Sequence, residues 1–170
     1  MDFKLRLIEK SDLDFVAEIR SDPEVVKNLG TFVMLNKEKQ LKWFSGLEKD
    51  KSKMYLIMER PDGKKRIGYV RITDIDYINR SMCIGGDIHK DHRGKGYSKY
   101  MYDLIFDLGF KKLNMHRLWL LVLEDNDRAK HIYTTKGFIL EGEQRKAVYK
   151  NGKYKDYLMM SMLRGEYGKL

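Results

Sequence analysis

The strongest constraint on this chain lies between Ser81 and Lys136, where the spacing of apolar residues changes period several times. It is strand-like from Ser81 to His89, helical from Gly96 to about Lys112, strand-like again from His116 to Leu123, and helical after Asn126. Within the first helical stretch Tyr97, Met101, Leu104, Ile105 and Leu108 fall on one face of an amphipathic helix. A strand, loop, helix, strand, helix order predicts an α/β chain, α+β in its layout, with helices packed on a sheet. Gly85 and Gly86 interrupt the first of these strands, where they surrender packing and ladder stability unless something approaches the backbone closely.

The flanking segments extend that layout. Phe3, Leu5 and Leu7 alternate as a short first strand, Ser11 marks the start of a helix running to about Arg20, and Asp22-Pro23 restarts one that Gly30 ends with a left-handed residue. Asn36 caps a third helix carrying Leu41, Trp43, Phe44 and Leu47. Strands are predicted over Met54 to Glu59 and Arg66 to Thr73, joined through Pro61-Asp62-Gly63-Lys64. After a helix with Ala129, Ile132 and Tyr133 on its inner face, Gly137 supplies the stop and a strand starts over Phe138 to Gly142. Ala147 to Tyr149 and Tyr154 to Met162 then flank the hairpin turn at Asn151-Gly152.

At 170 residues with 42% hydrophobic, the chain holds enough apolar material for one core, so a single domain over 1–170 is expected. The longest apolar run, Leu118 to Leu123, is far shorter than the roughly 20 residues a bilayer crossing needs, and charges interrupt any leader-like stretch at the start. A cytoplasmic protein follows. The only cysteine, Cys83, has no partner in the chain, which fits a reducing compartment, and four scattered histidines, His89 and His92 among them, predict no metal site. Net charge is +9, which attracts anions or simply keeps the surface hydrated.

Arg93-Gly94-Lys95-Gly96-Tyr97-Ser98 joins a predicted strand to a predicted helix, a place where several backbone N–H groups converge on one anion. Small residues at 94, 96 and 98 permit close approach, and Arg93 and Lys95 add positive charge. The spacing fits neither a Walker loop, since Gly96 follows Lys95, nor a dinucleotide fingerprint, since Lys99 stands where a third glycine belongs. Without a ligand the same residues make a glycine-rich turn. Asn126, Ala129, Tyr133, Gly137 and Phe138 form a second constellation that, alone, is an N-cap, core residues and a C-cap.

Taken together, the two segments resemble the GNAT superfamily of acyl-CoA N-acyltransferases. Arg93-x-x-Gly96-x-Ser98 matches its pyrophosphate loop, and Asn126, Ala129, Tyr133, Gly137 and Phe138 match its Asn-x-x-Ala-x-x-x-Tyr-x-x-x-Gly-Phe signature. The nearest branch holds ribosomal-protein N-terminal, spermidine and amino-sugar acetyltransferases, through Asp76 to Ser81 and Asn151 to Asp156. The resemblance implies a mixed, mostly antiparallel central sheet with a splayed parallel strand pair, helices on both faces, and acetyl-CoA as co-substrate. Backbone groups near Ile88, His89 and Lys90 would pair with pantetheine, amides of Arg93, Gly94, Lys95, Gly96, Tyr97 and Ser98 would hold the pyrophosphate, and Asn126 would orient the cofactor. Ser98 departs from the family's Gly or Ala but is small.

By the same resemblance Tyr133 is the acid for the departing sulfur. An alkyl amine must lose a proton before attack, whereas a thiolate of pKa about 8.5 gains from receiving one. Direct transfer then needs no covalent enzyme intermediate, and Cys83 is not required as a nucleophile. Where many relatives carry a base glutamate this chain has Cys83, leaving Asp87, Glu124 or ordered water. Arg20, Glu24, Asn28 and Trp43 are the candidates for binding the acceptor, a small-molecule amine. Glu38 is the only acid between Gly30 and Gln40 and the chain is cationic, which sets polyamines low; Ile19 to Val25 and Gln40 to Phe44 resemble acetyltransferases of 4-amino-4,6-dideoxy sugars, which puts a nucleotide-linked amino sugar first, ahead of a protein N-terminus. A basic nucleic-acid module is the non-enzyme alternative, disfavoured because the lysines form no stripe interleaved with aromatics. Oligomeric state is left open.

Overall fold

The computed structural model describes residues 2–30 and 36–168. A seven-stranded sheet runs in the order β1-β2-β3-β4-β5-β7-β6, with β1 Lys4–Leu7, β2 Met54–Glu59, β3 Arg66–Asp76, β4 Ser81–Ile88, β5 Arg117–Leu123, β6 Ile139–Lys150 and β7 Lys153–Leu163. Every pairing is antiparallel except β4 with β5, as expected for the mixed sheet. Helices α1 (Leu13–Ser21), α2 (Pro23–Val26), α3 (Lys37–Gly46), α4 (Tyr97–Phe106) and α5 (Asp127–Thr135) fill the connections.

Helix starts follow capping chemistry. Asp22 accepts from the Glu24 amide at 2.8 Å, Asn36 from Lys39 at 2.7 Å and Asn126 from Ala129 at 3.2 Å, so each answers an N–H that has no helical partner. The first helix begins later than its Ser11 signal: Ser11 lies in a 3-10 turn over Lys10–Asp12, and α1 starts at Leu13. Asp12 is fully buried there between Arg6, 2.6 Å away, and Arg66, 3.2 Å away, so an ion cluster rather than a serine fixes the chain entry.

Gly30 is not a left-handed stop either; a side chain there would collide with the Tyr157 hydroxyl, 1.4 Å from its Cβ position. The last strand pair is longer than the turn signals suggest. β6 runs unbroken to Lys150, absorbing its extra residues in irregularities at Leu140/Gly142 and Gln144/Val148. The Asn151-Gly152 turn has the paired positive φ values, 51° and 79°, that close the hairpin.

Alternation along β2 and β3 sends side chains to two cores. Leu56, Met58, Val70 and Ile72 meet α4 and α5 on one face, while Ile57 and Tyr69 meet Val16, Ile19 and Val25 of α1 and α2 on the other. Helix α4 lies against glycines at both ends. Gly109, in the wide turn Asp107–Lys112 that prolongs α4, leaves its Cβ site 2.6 Å from Met82 and 2.9 Å from Leu118, themselves partners in the β4–β5 ladder. At the other end Met101 occupies the space over Gly68 and Gly86, 2.5 Å from each Cβ site. The protein's own methionine is therefore what approaches Gly86.

Candidate active site

Strands β4 and β5 pair in parallel only over Ser81↔Arg117, Met82↔Leu118 and Cys83↔Trp119. Beyond Cys83 they separate, β4 staying in register with β3 and β5 with β7 to their ends. A cavity of about 880 Å3 occupies the opening, lined from β4 by Cys83 to Ile88, from β5 by Leu121 and Val122, and from α4 and α5 by Ser98, Met101, Tyr102 and Tyr133.

The His89 amide donates to the Ile67 carbonyl at 3.0 Å. In an antiparallel ladder the backbone groups of alternate residues face opposite edges, so those of Ile88 and Gly86 face the gap. Of the three backbone positions expected to pair with a pantetheine arm, only Ile88 is turned toward it. His89 is a ladder residue whose ring is buried, stacked on Phe15 with centroids 5.1 Å apart and 3.0 Å from the Glu18 carboxylate; Lys90 is exposed in the following turn.

At the start of α4, Gly94 and Gly96 adopt φ values of +75° and +72°, and no atom lies within 4 Å of either Cβ site. Among the described residues the amides of Gly94 to Ser98 make no turn hydrogen bond to another backbone carbonyl. Such a run of free amides at a helix N-terminus is an anion cradle. The cations beside it behave otherwise than expected. Arg93 folds back, donating to the Ile88 carbonyl at 3.1 Å and to Asp22 at 3.1 Å, while Lys95 donates to the Asp91 carbonyl at 2.8 Å. The attraction for an anion is therefore mainly that of the main chain. One guanidinium nitrogen of Arg93, Nη2, is buried without a partner at the cavity wall, a donor left over for a ligand. Ser98 lines the cavity, and Tyr97 packs edge-on against Phe3 at 5.0 Å.

Tyr133 projects from α5 into the cavity, and the Tyr102 hydroxyl of α4 stands 3.2 Å from its own. Burial pushes the Tyr133 hydroxyl above its ordinary pKa, while the hydrogen bond from Tyr102 pulls it back. A phenol so placed remains protonated and able to donate. Asn126 also lines the cavity, with Oδ1 held by its capping bond. Cys83 lies in the same wall, and burial pushes its thiol up to about 11, so it is not an activated nucleophile.

The two base candidates part company. Asp87 is in the wall, with Oδ2 engaged by Arg71 at 2.6 Å, and Gly85 leaves the room that guanidinium needs. Glu124 is outside it: exposed, and accepting from the Asp156 amide at 3.2 Å, it ties the end of β5 to β7. The strand end, read from sequence as facing the cleft, instead offers Asp125, paired with Lys155. Arg20, Glu24 and Asn28 line the far side of the cavity, but Trp43 does not; it packs on Tyr55 with centroids 5.0 Å apart. Residues 31–35, part of the stretch searched for carboxylates, lie outside the described residues.

Several lining residues carry no motif. Arg71 reads as an ordinary outward strand residue, and Tyr102, one turn before Ile105 and Phe106, as an ordinary core position of α4. Only the pairing of strands and helices brings them into the opening.

An acetyltransferase (GNAT) domain model matches residues 2–139. The chain is 29% identical to the spermidine N(1)-acetyltransferase of Vibrio cholerae, over 96% of this chain and 94% of that protein. It is 27% identical to a putative ribosomal N-acetyltransferase of Bacillus subtilis over 59% of this chain and 55% of the other. A crystal structure of the Vibrio cholerae spermidine N-acetyltransferase in complex with CoA and spermine superposes with a TM-score of 0.91 at 26% identity, covering 97% of each chain. Splayed strands, amide cradle and family match agree: this chain belongs to the GNAT acetyltransferase family and is an acetyl-CoA-dependent N-acetyltransferase.

Proposed function

We propose that this enzyme acetylates a primary amine of a polyamine such as spermidine, with Tyr133 donating the proton to the departing sulfur. The observation that carries the acceptor class is the likeness, across 96% of the chain, to a spermidine acetyltransferase whose structure with CoA and spermine has the same fold. This reverses the order drawn from sequence, where the net charge of +9 set polyamines low. Net charge is a property of the whole surface, whereas the fold gathers Glu24, Asp87, Asp125 and Asp127 at one cavity from segments far apart in the chain.

On this reading the diphosphate rests on the amides of Gly94 to Ser98, and the backbone of Gly86 and Ile88 pairs with the pantetheine arm as an added strand would. The amine attacks the thioester carbonyl directly. A second reading rests on one specific observation: Arg20 and Arg128 line the same cavity and among the described residues neither is in an ion pair, whereas Arg71 and Lys27 are neutralised by Asp87 and Glu24. That arrangement favours an amine carried on an anionic group, such as a nucleotide-linked amino sugar. Thiol release measured with spermidine, spermine, UDP- and dTDP-amino sugars and N-terminal peptides separates the two. The highest kcat/KM is expected with spermidine or spermine; turnover confined to the sugars, or to peptides, rejects the polyamine.

A further inference from the structure

The geometry points to Tyr102 as a positioning residue for the acetyl transfer, holding the Tyr133 hydroxyl with its proton directed at the leaving sulfur and stabilising the phenolate left behind. This rests on the assignment of Tyr133 as proton donor and goes beyond it. The hydroxyls are 3.2 Å apart, with the rings edge-on at 86° and centroids 5.4 Å apart. Tyr102 is almost fully buried, at 3% exposure, and among the described residues its hydroxyl hydrogen-bonds to Tyr133 alone.

A phenol has one proton to give. When Tyr102 donates to the Tyr133 oxygen, the Tyr133 proton has no acceptor among the described residues and is left for a ligand atom in the cavity. The Tyr102 ring is packed against Phe106 with centroids 6.3 Å apart, which fixes its hydroxyl beside that of Tyr133, and donation from Tyr102 leaves the more exposed phenol, Tyr133, as the one that faces a ligand. Burial, with Tyr133 beside it, raises Tyr102 well above an ordinary tyrosine, so it remains a donor while its neighbour changes charge. The other ionisable groups acting on Tyr133 are Asp87, Arg71 and Cys83.

As the amine nitrogen bonds to the acetyl carbonyl carbon and the carbon–sulfur bond breaks, the sulfur electron pair takes the Tyr133 proton. The phenolate oxygen keeps the hydrogen bond from Tyr102, now to a charged acceptor and correspondingly stronger. The surplus proton on the product nitrogen passes to water, and water reprotonates Tyr133.

The test is a double-mutant cycle on the full chain with acetyl-CoA and the best acceptor found. Tyr102→Phe keeps the ring and removes only the hydroxyl. It is expected to lower kcat roughly 10- to 100-fold, the range for a hydrogen bond to a charged group, with both KM values little changed. The alkaline limb of the kcat–pH profile should move to higher pH, because a phenolate without its donor forms less readily. In a Tyr133→Phe background the same change should have no further effect. A wild-type rate and pH profile for Tyr102→Phe, or equal slowing in both backgrounds, overturns the role of Tyr102 and leaves Tyr133 standing. A wild-type rate for Tyr133→Phe removes both.

Discussion

On the proposed function the cavity has a coenzyme side and an acceptor side, and the two are held in different ways. On the coenzyme side α4 lies directly on the sheet: Met101 fills the hollow over Gly68 and Gly86, and Gly109 rests on the closed end of the β4–β5 pair. On the acceptor side the end of α2 and the segment after it are strapped by two side chains of the last hairpin. Lys150 donates to the Val26 carbonyl at 2.5 Å and the Leu29 carbonyl at 2.6 Å, and the Tyr157 ring covers Gly30. Close packing resists change in volume, whereas a strap of hydrogen bonds can be cut without disturbing a core. On that reading the close-packed side meets a constant ligand and the strapped side a variable one.

The contrast can be broken first at the chemistry between the two sides. Tyr133→Phe is expected to lower kcat roughly 100- to 10,000-fold, the contribution of a general acid, while the rise in melting temperature produced by acetyl-CoA persists. On the coenzyme side Gly68→Ala should be the damaging change, because its Cβ would lie 2.7 Å from the Asp87 carbonyl oxygen and two paired strands would have to part. A loss of roughly 1–3 kcal/mol in denaturant unfolding is expected, together with a weaker acetyl-CoA shift. Gly86→Ala should cost less, since the nearest atom is the Met101 sulfur, which can rotate away; equal losses at the two sites would show that Met101 is fixed.

On the acceptor side Lys150→Ala should raise the acceptor KM several-fold and leave the acetyl-CoA KM alone. Equal changes in both would mean that the strap also shapes the coenzyme side. The smallest effect lies away from the cavity. Arg117 and the Ser161 hydroxyl hold the Glu141 carboxyl at about 2, against an ordinary 4.5. With the folded value below the unfolded one, the stabilisation is complete above pH 4.5 and lost as pH falls toward 2. In Glu141→Gln, unfolding stability should drop by about 1 kcal/mol or less at neutral pH and converge with wild type near pH 2.

Legibility in the sequence divided along the same line. The coenzyme side is written in local signals: two left-handed glycines, an N-cap at Asn126 and a helical stripe, each readable within a dozen residues. The mixed sheet and the parallel pair followed from the resemblance those signals carried. The acceptor side is made of contacts between distant segments, such as Lys150 with Val26 or Arg71 with Asp87, and no local spacing encodes them. Trp43 was misplaced because an aromatic in an amphipathic helix looks the same whether it faces a ligand or, as here, Tyr55. Glu124 was misplaced because the side on which a residue leaves a strand end depends on the neighbouring strand, here β7.

The gap between β4 and β5 has a kinetic consequence. β4 stays bonded to β3 and β5 to β7 along their lengths, so the two edges of the aperture are each held by an outer neighbour. A thioester arriving there has no sheet to pry apart, and the ordering of its binding edge was completed when the chain folded. Capture of the coenzyme should therefore proceed at a rate set by encounter and orientation rather than by a preceding rearrangement of the strands.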